Sequence, residues 1–312
     1  MNDKFGHLHS RARRVAEEDD ASRVEWIRKP LWIEHPAATR IQNRIQEIFN
    51  QPKSDRMENI LFIAESGLGK TSIMNRFEKW GPSDFGQNLV KRRPVIKILM
   101  PPDPTEKEFF EHILRELSIP YVKLSHMSGP RLRSLAIEVL QRCHTRVLMI
   151  DEINSLLVGT PRQQRMFLQV LRFMSNCLGV ALVCAGTPEA KYALNSDRQL
   201  HSRFSEVELA PWTVGPDLQG FVNRMVQSMP LRQPSPVESS KICRLLVERS
   251  GGITSHICWG LRRAAIAAIL DGREMIDLAG LQDDRIWAGV TPPLCLPFRV
   301  DRTTAGIRKD DL

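Results

Sequence analysis

The sequence predicts an α/β fold, a parallel five-stranded sheet flanked by helices, followed by a small helical lid domain. Three observations predict it. Short apolar runs suited to strands buried on both faces alternate with amphipathic helical patterns, an order that calls for crossover connections and a parallel sheet. The first run leads directly into a glycine-containing turn and then a helical pattern. Beyond residue 211 the strand-like runs stop, and Pro216, Pro230, Pro234 and Pro236 punctuate helical patterns alone.

Taken in order, residues 1–30 mix both charge signs with little apolar periodicity, from Arg11, Arg13 and Arg14 to Glu17, Glu18, Asp19 and Asp20, and read as a mobile or docking arm. Leu31-Trp32-Ile33-Glu34-His35-Pro36 leads into a helix through Ile41, Ile45 and Ile48 that ends near Asn50. Strands are expected at Ile60–Ala64, Val95–Leu99, Val147–Ile150 and Val180–Ala185, with a fifth at Val207–Leu209. Between them, Thr105 and Glu108 are spaced as a capping box for a helix over Lys107–Leu117, and Thr160 and Gln163 for one starting at Pro161. Helices at Ile242–Glu248 and Ile257–Leu270 follow. The expected division is an arm at 1–30, an α/β domain at 31–211, a helical lid at 212–290 and a tail at 291–312.

The 312 residues are 42% hydrophobic and 26% charged, an ordinary globular composition that excludes collagen-like and disordered chains. The net charge of +8 favours a polyanionic partner, nucleic acid first, although the same excess also suits a solvated surface. Six dispersed cysteines without C-x-x-C pairs fit a reducing compartment, and no apolar run approaches the roughly 20 residues of a membrane span. The expectation is a cytoplasmic protein with no membrane association. The eight histidines show no zinc-ligand spacing.

The chemistry concentrates after the first strand. Ala64-Glu65-Ser66-Gly67-Leu68-Gly69-Lys70-Thr71, followed by Ser72, has the strand-to-helix context of a phosphate-binding loop, except that Ala64 stands where the pattern G-x-x-x-x-G-K-[ST] opens with glycine. Such a loop turns backbone N–H groups toward phosphate oxygens at a helix N-terminus, with Lys70 reaching the β- and γ-phosphates and Thr71 holding Mg²⁺. The run ending in Asp151 and Glu152 supplies the complementary carboxylates, Asp151 for the metal and Glu152 for the attacking water. Thr187 either senses the γ-phosphate or simply forms a turn. Arg203, with Arg198 in reserve, is either an arginine finger reaching a neighbouring subunit or surface charge. Ile33 and His35 approach the adenine, unless His35 serves only the helix start.

With these motifs, and with Val147–Glu152, Ala185–Ala190, Ser202-Arg203-Phe204, Lys53–Met57, Leu31-Trp32-Ile33 and the Pro101–Thr105 turn, the chain resembles AAA+ P-loop NTPases, and more narrowly the TniB/TnsC family of transposition regulators, over roughly residues 31–270. The resemblance implies an ATPase using ATP and Mg²⁺ that oligomerises on double-stranded DNA as a ring or filament. It further implies a link between a target-selection protein of the TniQ type and a DDE-type transposase, with hydrolysis driving disassembly. The nucleotide would lie between subunits, with Lys70, Thr71, Asp151 and Glu152 acting in cis and Arg203 in trans. Many AAA+ proteins place an arginine shortly after a glycine in the lid, but Gly252-Ile253-Thr254-Ser255-His256 has none. Arg262 and Arg263, farther along the same helix, either substitute for it or form a solvated face, and hydrolysis is expected to be slow.

Two basic groups are candidates for DNA phosphates or else ordinary exposed faces: Lys91, Arg92, Arg93 and Lys97, and Arg162, Arg165 and Arg172 at helical spacing. Two further functions compete: a helicase or replication-factor loader, and a DNA-binding scaffold in which ATP is structural.

Overall fold

The computed structural model describes residues 5–54, 56–80, 92–102, 105–120, 124–195 and 198–290. Lys91, part of the Pro101–Thr105 turn and the 291–312 tail lie outside the described residues.

Five parallel strands, β1 (Asn59–Ala64), β2 (Val95–Leu99), β3 (Val147–Asp151), β4 (Ala181–Gly186) and β5 (Phe204–Leu209), form one sheet in the order β2-β3-β4-β1-β5. Successive side chains alternate between its faces. On β1, Leu61 and Ile63 enter one core, with Phe109, Phe110, Leu132, Phe167 and Leu171. Ile60, Phe62 and Ala64 enter the other, with Ile41, Ile45, Ile73 and Phe77. Both faces are covered, so β1, β3 and β4 read as unbroken apolar runs. The edge strand β5 starts three residues before the expected Val207, because only Phe204, Val207 and Leu209 of Phe204–Leu209 are apolar and the polar pair Ser205-Glu206 hides its start.

The first core holds α5 (Glu106–Glu116), α6 (Gly129–Arg142) and α7 (Pro161–Leu178); the second holds α3 (Pro36–Asn50) and α4 (Lys70–Trp80). The reciprocal capping box of Thr160 and Gln163 forms, and Thr105 caps α5 through the Glu108 N–H. The short helices α8 (Ala190–Asn195) and α9 (Arg198–His201) precede β5.

The lid comprises α10 (Pro216–Gln227), α11 (Ser240–Ser250), α12 (Thr254–Leu270), α13 (Leu278–Gln282) and α14 (Asp284–Trp287) around Phe221, Leu246, Ile257 and Leu261. The expectation of a mobile arm is corrected here. Residues 10–28 form α1 (Ser10–Val15) and α2 (Asp20–Arg28), and α2 contributes Ile27 to the lid core. The Arg23 side chain is fully buried, pairing with Glu274 at 2.6 Å and Asp20 at 2.7 Å. Trp26 Nε1 donates to the Ser228 carbonyl at 3.0 Å, and the His9 N–H to that of Gln227 at 2.8 Å. Arg23 finds its carboxylate, Glu274, more than two hundred residues away, beyond the reach of local pattern reading.

Candidate nucleotide site between core and lid

Between β1 and α4 the chain makes a tight loop. Ala64 is the last residue of β1, in register with Leu209, and needs no positive φ, so the missing opening glycine costs nothing. The left-handed positions are Gly67 (φ 79°) and Gly69 (φ 106°). Leu68 anchors the loop in the core at 1% exposure. Inside the loop Lys70 Nζ donates to the carbonyls of Ala64 (2.6 Å) and Glu65 (3.1 Å). Burial pushes the Lys70 ammonium below its ordinary range, opposed by the charges of Glu152, Asp151 and Glu65.

The end of β3 faces this loop. Thr71 Oγ1 donates to Asp151 Oδ2 at 2.8 Å, and the Glu152 N–H donates to Asp151 Oδ1 at 3.1 Å. Asp151 is 2% exposed. Glu152 adopts the left-handed conformation (φ 56°, ψ 44°), uncommon for a glutamate and of a kind that gathers at functional sites.

A cavity of about 490 Å³ opens above the loop, within the range of small-molecule sites. Ser66, Gly67, Leu68, Gly69, Lys70, Thr71, Ser72, Glu152, Ile33 and His35 line it. Glu65 contributes its carbonyl to Lys70 while its side chain is exposed. His35 serves the helix start as well: its Nδ1 accepts the Ala38 N–H at 3.3 Å, and its ring packs on Trp212 and Phe221. Burial pushes its pKa down to about 4, leaving the neutral ring this cap requires.

Two expected participants lie elsewhere. Thr187 follows β4; its N–H donates to Asn154 Oδ1 at 3.4 Å and its hydroxyl bonds the Glu189 carboxylate, lowering that group's pKa. Thr187 does not line the cavity. Arg203 precedes β5, at the opposite end of the sheet from the loop, about 20 Å away across the length of β1. Its guanidinium donates to Asn176 Oδ1. The side chain of Arg198 is outside the described part.

The donor set fits a nucleoside triphosphate with magnesium. Backbone N–H groups and a buried ammonium suit phosphate oxygens, and Thr71 Oγ1 with Asp151 Oδ2 form the hard oxygen pair that Mg²⁺ prefers. The profile of the bacterial TniB protein family matches residues 23–214. The chain belongs to the TniB family. No curated protein matches it by sequence. Among solved structures, the Aeropyrum pernix ORC2 protein (ADPNP-ADP complexes) is similar at 12% identity and a TM-score of 0.61, with 85% of this chain and 71% of that chain covered. The Aeropyrum pernix ORC1 protein in complex with DNA is 19% identical at a TM-score of 0.57, covering 83% and 68%. Drosophila ORC bound to DNA is 13% identical at a TM-score of 0.58, covering 86% and 65%. At these identities the likeness is one of fold, and the TniB chain has the AAA+ P-loop fold.

In this TniB-family chain the lid supplies Arg262 and further walls that motif reading missed: Phe221, Thr254, Ser255 and Cys258. The Gly251-Gly252 pair, both left-handed, was the available sequence signal that the chain turns sharply there before α12. Arg262 is not on a solvated face; it is partly buried, lines the cavity and donates to the Lys29 carbonyl at 3.3 Å. Arg263 covers the Trp259 ring at 4.5 Å and donates to the carbonyls of Ile286 and Ala288.

The two basic groups fare differently. Arg92 is exposed, but Arg93 pairs with Glu116 at 3.1 Å, and Lys97 turns inward to Asp151 at 3.8 Å. Lys97, expected on a basic outer surface, instead lies beside Asp151, because its position on β2 faces α4 and the covered side of the sheet. On α7, Arg162 and Arg165 are exposed and make no ion pair among the described residues, while Arg172 donates to Gln199 Oε1 at 2.7 Å. No helix of the described residues is long and apolar enough to cross a membrane.

Proposed function

We propose that this protein is an ATP-dependent regulator of DNA transposition, assembling as a ring or filament on duplex DNA and linking a TniQ-type target-selection protein to a DDE-type transposase. The observation that carries the nucleotide part is the Thr71–Asp151 hydrogen bond beside the Lys70 cradle, facing a cavity shared by core and lid. Membership of the TniB family supports the transposition part.

In this reading Lys70 exchanges its two carbonyl partners for the β- and γ-phosphates, a trade favoured because an ammonium gains more from anions than from neutral carbonyls. Thr71 and Asp151 hold Mg²⁺, which neutralises phosphate charge when bound. Glu152 orients and deprotonates the attacking water. Arg203, remote from the loop of its own chain, stabilises transition-state charge in the adjacent subunit, so that ATP favours assembly and hydrolysis favours release. Ile33 and His35 flank the adenine. Arg162 and Arg165, on a helix with no acidic residue over its 18 positions, lie against DNA phosphates with little sequence preference.

Electron microscopy of the protein with duplex DNA, magnesium and a non-hydrolysable ATP analogue tests the assembly. Rings or filaments on DNA are expected, and Lys70→Ala should abolish them. Persistent monomers off DNA would sink the proposal.

A further inference from the structure

Lys97 is the central residue of β2, an edge strand whose neighbours Ile96 and Ile98 enter the first core. Alternation turns Lys97 to the α4 face, where Val95 and Met149 are buried. A lysine on a covered face needs a carboxylate, since an unpaired buried ammonium is strongly disfavoured. The register pairs Lys97 with Met149, which places Asp151 two residues along the adjacent strand on the same face. Lys97 Nζ is 3.8 Å from Asp151 Oδ2, and the side chains are 17% and 2% exposed. That oxygen also accepts the Thr71 hydroxyl.

The position is held from both sides. On the open edge of the sheet the Lys97 N–H donates to Glu78 Oε1 at 3.2 Å. Glu78 lies about two turns after Thr71 on α4, on the same side of that helix. One helix therefore sets both the hydroxyl that contacts Asp151 and the carboxylate that fixes the lysine's backbone. Burial pushes the Glu78 carboxyl up, opposed by the hydrogen bond from the Lys97 N–H and by the charges of Lys97 and Arg93.

We propose that Lys97 is a positioning residue, a resident counter-charge that holds the Asp151 carboxylate ready and sets the magnesium concentration at which nucleotide is captured. It rests on the nucleotide reading above. A divalent cation approaching Asp151 Oδ2 meets an ammonium already there, and like charges at that separation repel in a partly desolvated site. The Lys97 ammonium would therefore have to withdraw from Asp151 Oδ2 before that oxygen could serve a divalent cation. This raises the threshold for loading.

The test is a magnesium titration of binding of a fluorescent ATP analogue to the full chain, with thermal unfolding as a check that each variant is folded. Lys97→Met should lower the half-saturating magnesium concentration by roughly fivefold or more, and Lys97→Arg, which keeps the charge, should leave it near the wild-type value. Should the methionine variant not fold, Lys97→Gln removes the same charge. An unmoved midpoint in the uncharged variant, or an equal shift in Lys97→Arg, overturns the assignment of Lys97 alone. Wild-type protein that binds no nucleotide at any magnesium concentration overturns the nucleotide reading and this proposal with it.

Discussion

The backbone N–H of Ser255, at the start of α12, donates to the carbonyl of Gly67 at 2.9 Å, so the lid rests directly on the glycine-containing loop. A Cβ on Gly67 would meet Ser255 Oγ at 2.4 Å and Ile253 Cγ2 at 2.8 Å. Close approach and a φ of 79° thus both require glycine at this position.

Gly67→Ala is accordingly expected to push the lid off the loop. Backbone strain and overpacking together should cost about 1–3 kcal/mol, read as a lower urea midpoint, and nucleotide affinity should fall. An alanine variant with unchanged stability and affinity would show that the lid contact does not shape the site.

His35 gives the protein an acid-sensitive cap. Its folded pKa of about 4 lies below the ordinary 6.5, so the unfolded chain binds the extra proton more readily. The associated stability is complete above about pH 6.5 and drains away as pH falls toward 4, by on the order of 3 kcal/mol. Urea unfolding at pH 7 and pH 4.5 should show a larger loss for wild type than for His35→Asn, which keeps a capping acceptor without titrating in this window. Equal losses would assign the acid sensitivity to other groups.

The α2–lid junction depends on Arg23. Arg23→Met removes the closer of two arginine partners of a largely buried Glu274, leaving Arg232 at 3.7 Å, and should destabilise the protein by about 3 kcal/mol. The double variant Arg23→Met/Glu274→Leu should recover part of that loss, because no half-paired carboxylate remains. Thermal unfolding of the two variants decides the matter, and an unaffected single variant would mean that the ion pair contributes nothing net.

If Arg203 works in trans, Arg203→Ala should leave nucleotide binding intact and slow hydrolysis by about a thousandfold. Mixing it with Glu152→Gln should restore part of the phosphate release, since some interfaces would then combine an intact Glu152 with an intact Arg203. Mixtures as inactive as their components would place Arg203 outside the shared site.

What the sequence determined by itself is what depends on near neighbours along the chain. Ala64–Thr71 and Val147–Glu152 are contiguous, and the bonds that shape the loop, from Lys70 to Ala64 and Glu65, span five or six residues. Strand and helix order followed from side-chain period, a local property. What the tertiary structure alone decided is everything that depends on which distant residue arrives opposite. It converted an apparently mobile arm into α1 and α2 by bringing Glu274 to Arg23, and it turned Lys97 from a DNA candidate into the neighbour of Asp151. It also brought Ser255 and Arg262 to the cavity wall. A charge carries no mark of its partner in a linear pattern; burial selects the partner, and burial exists only once the sheet and the lid have packed.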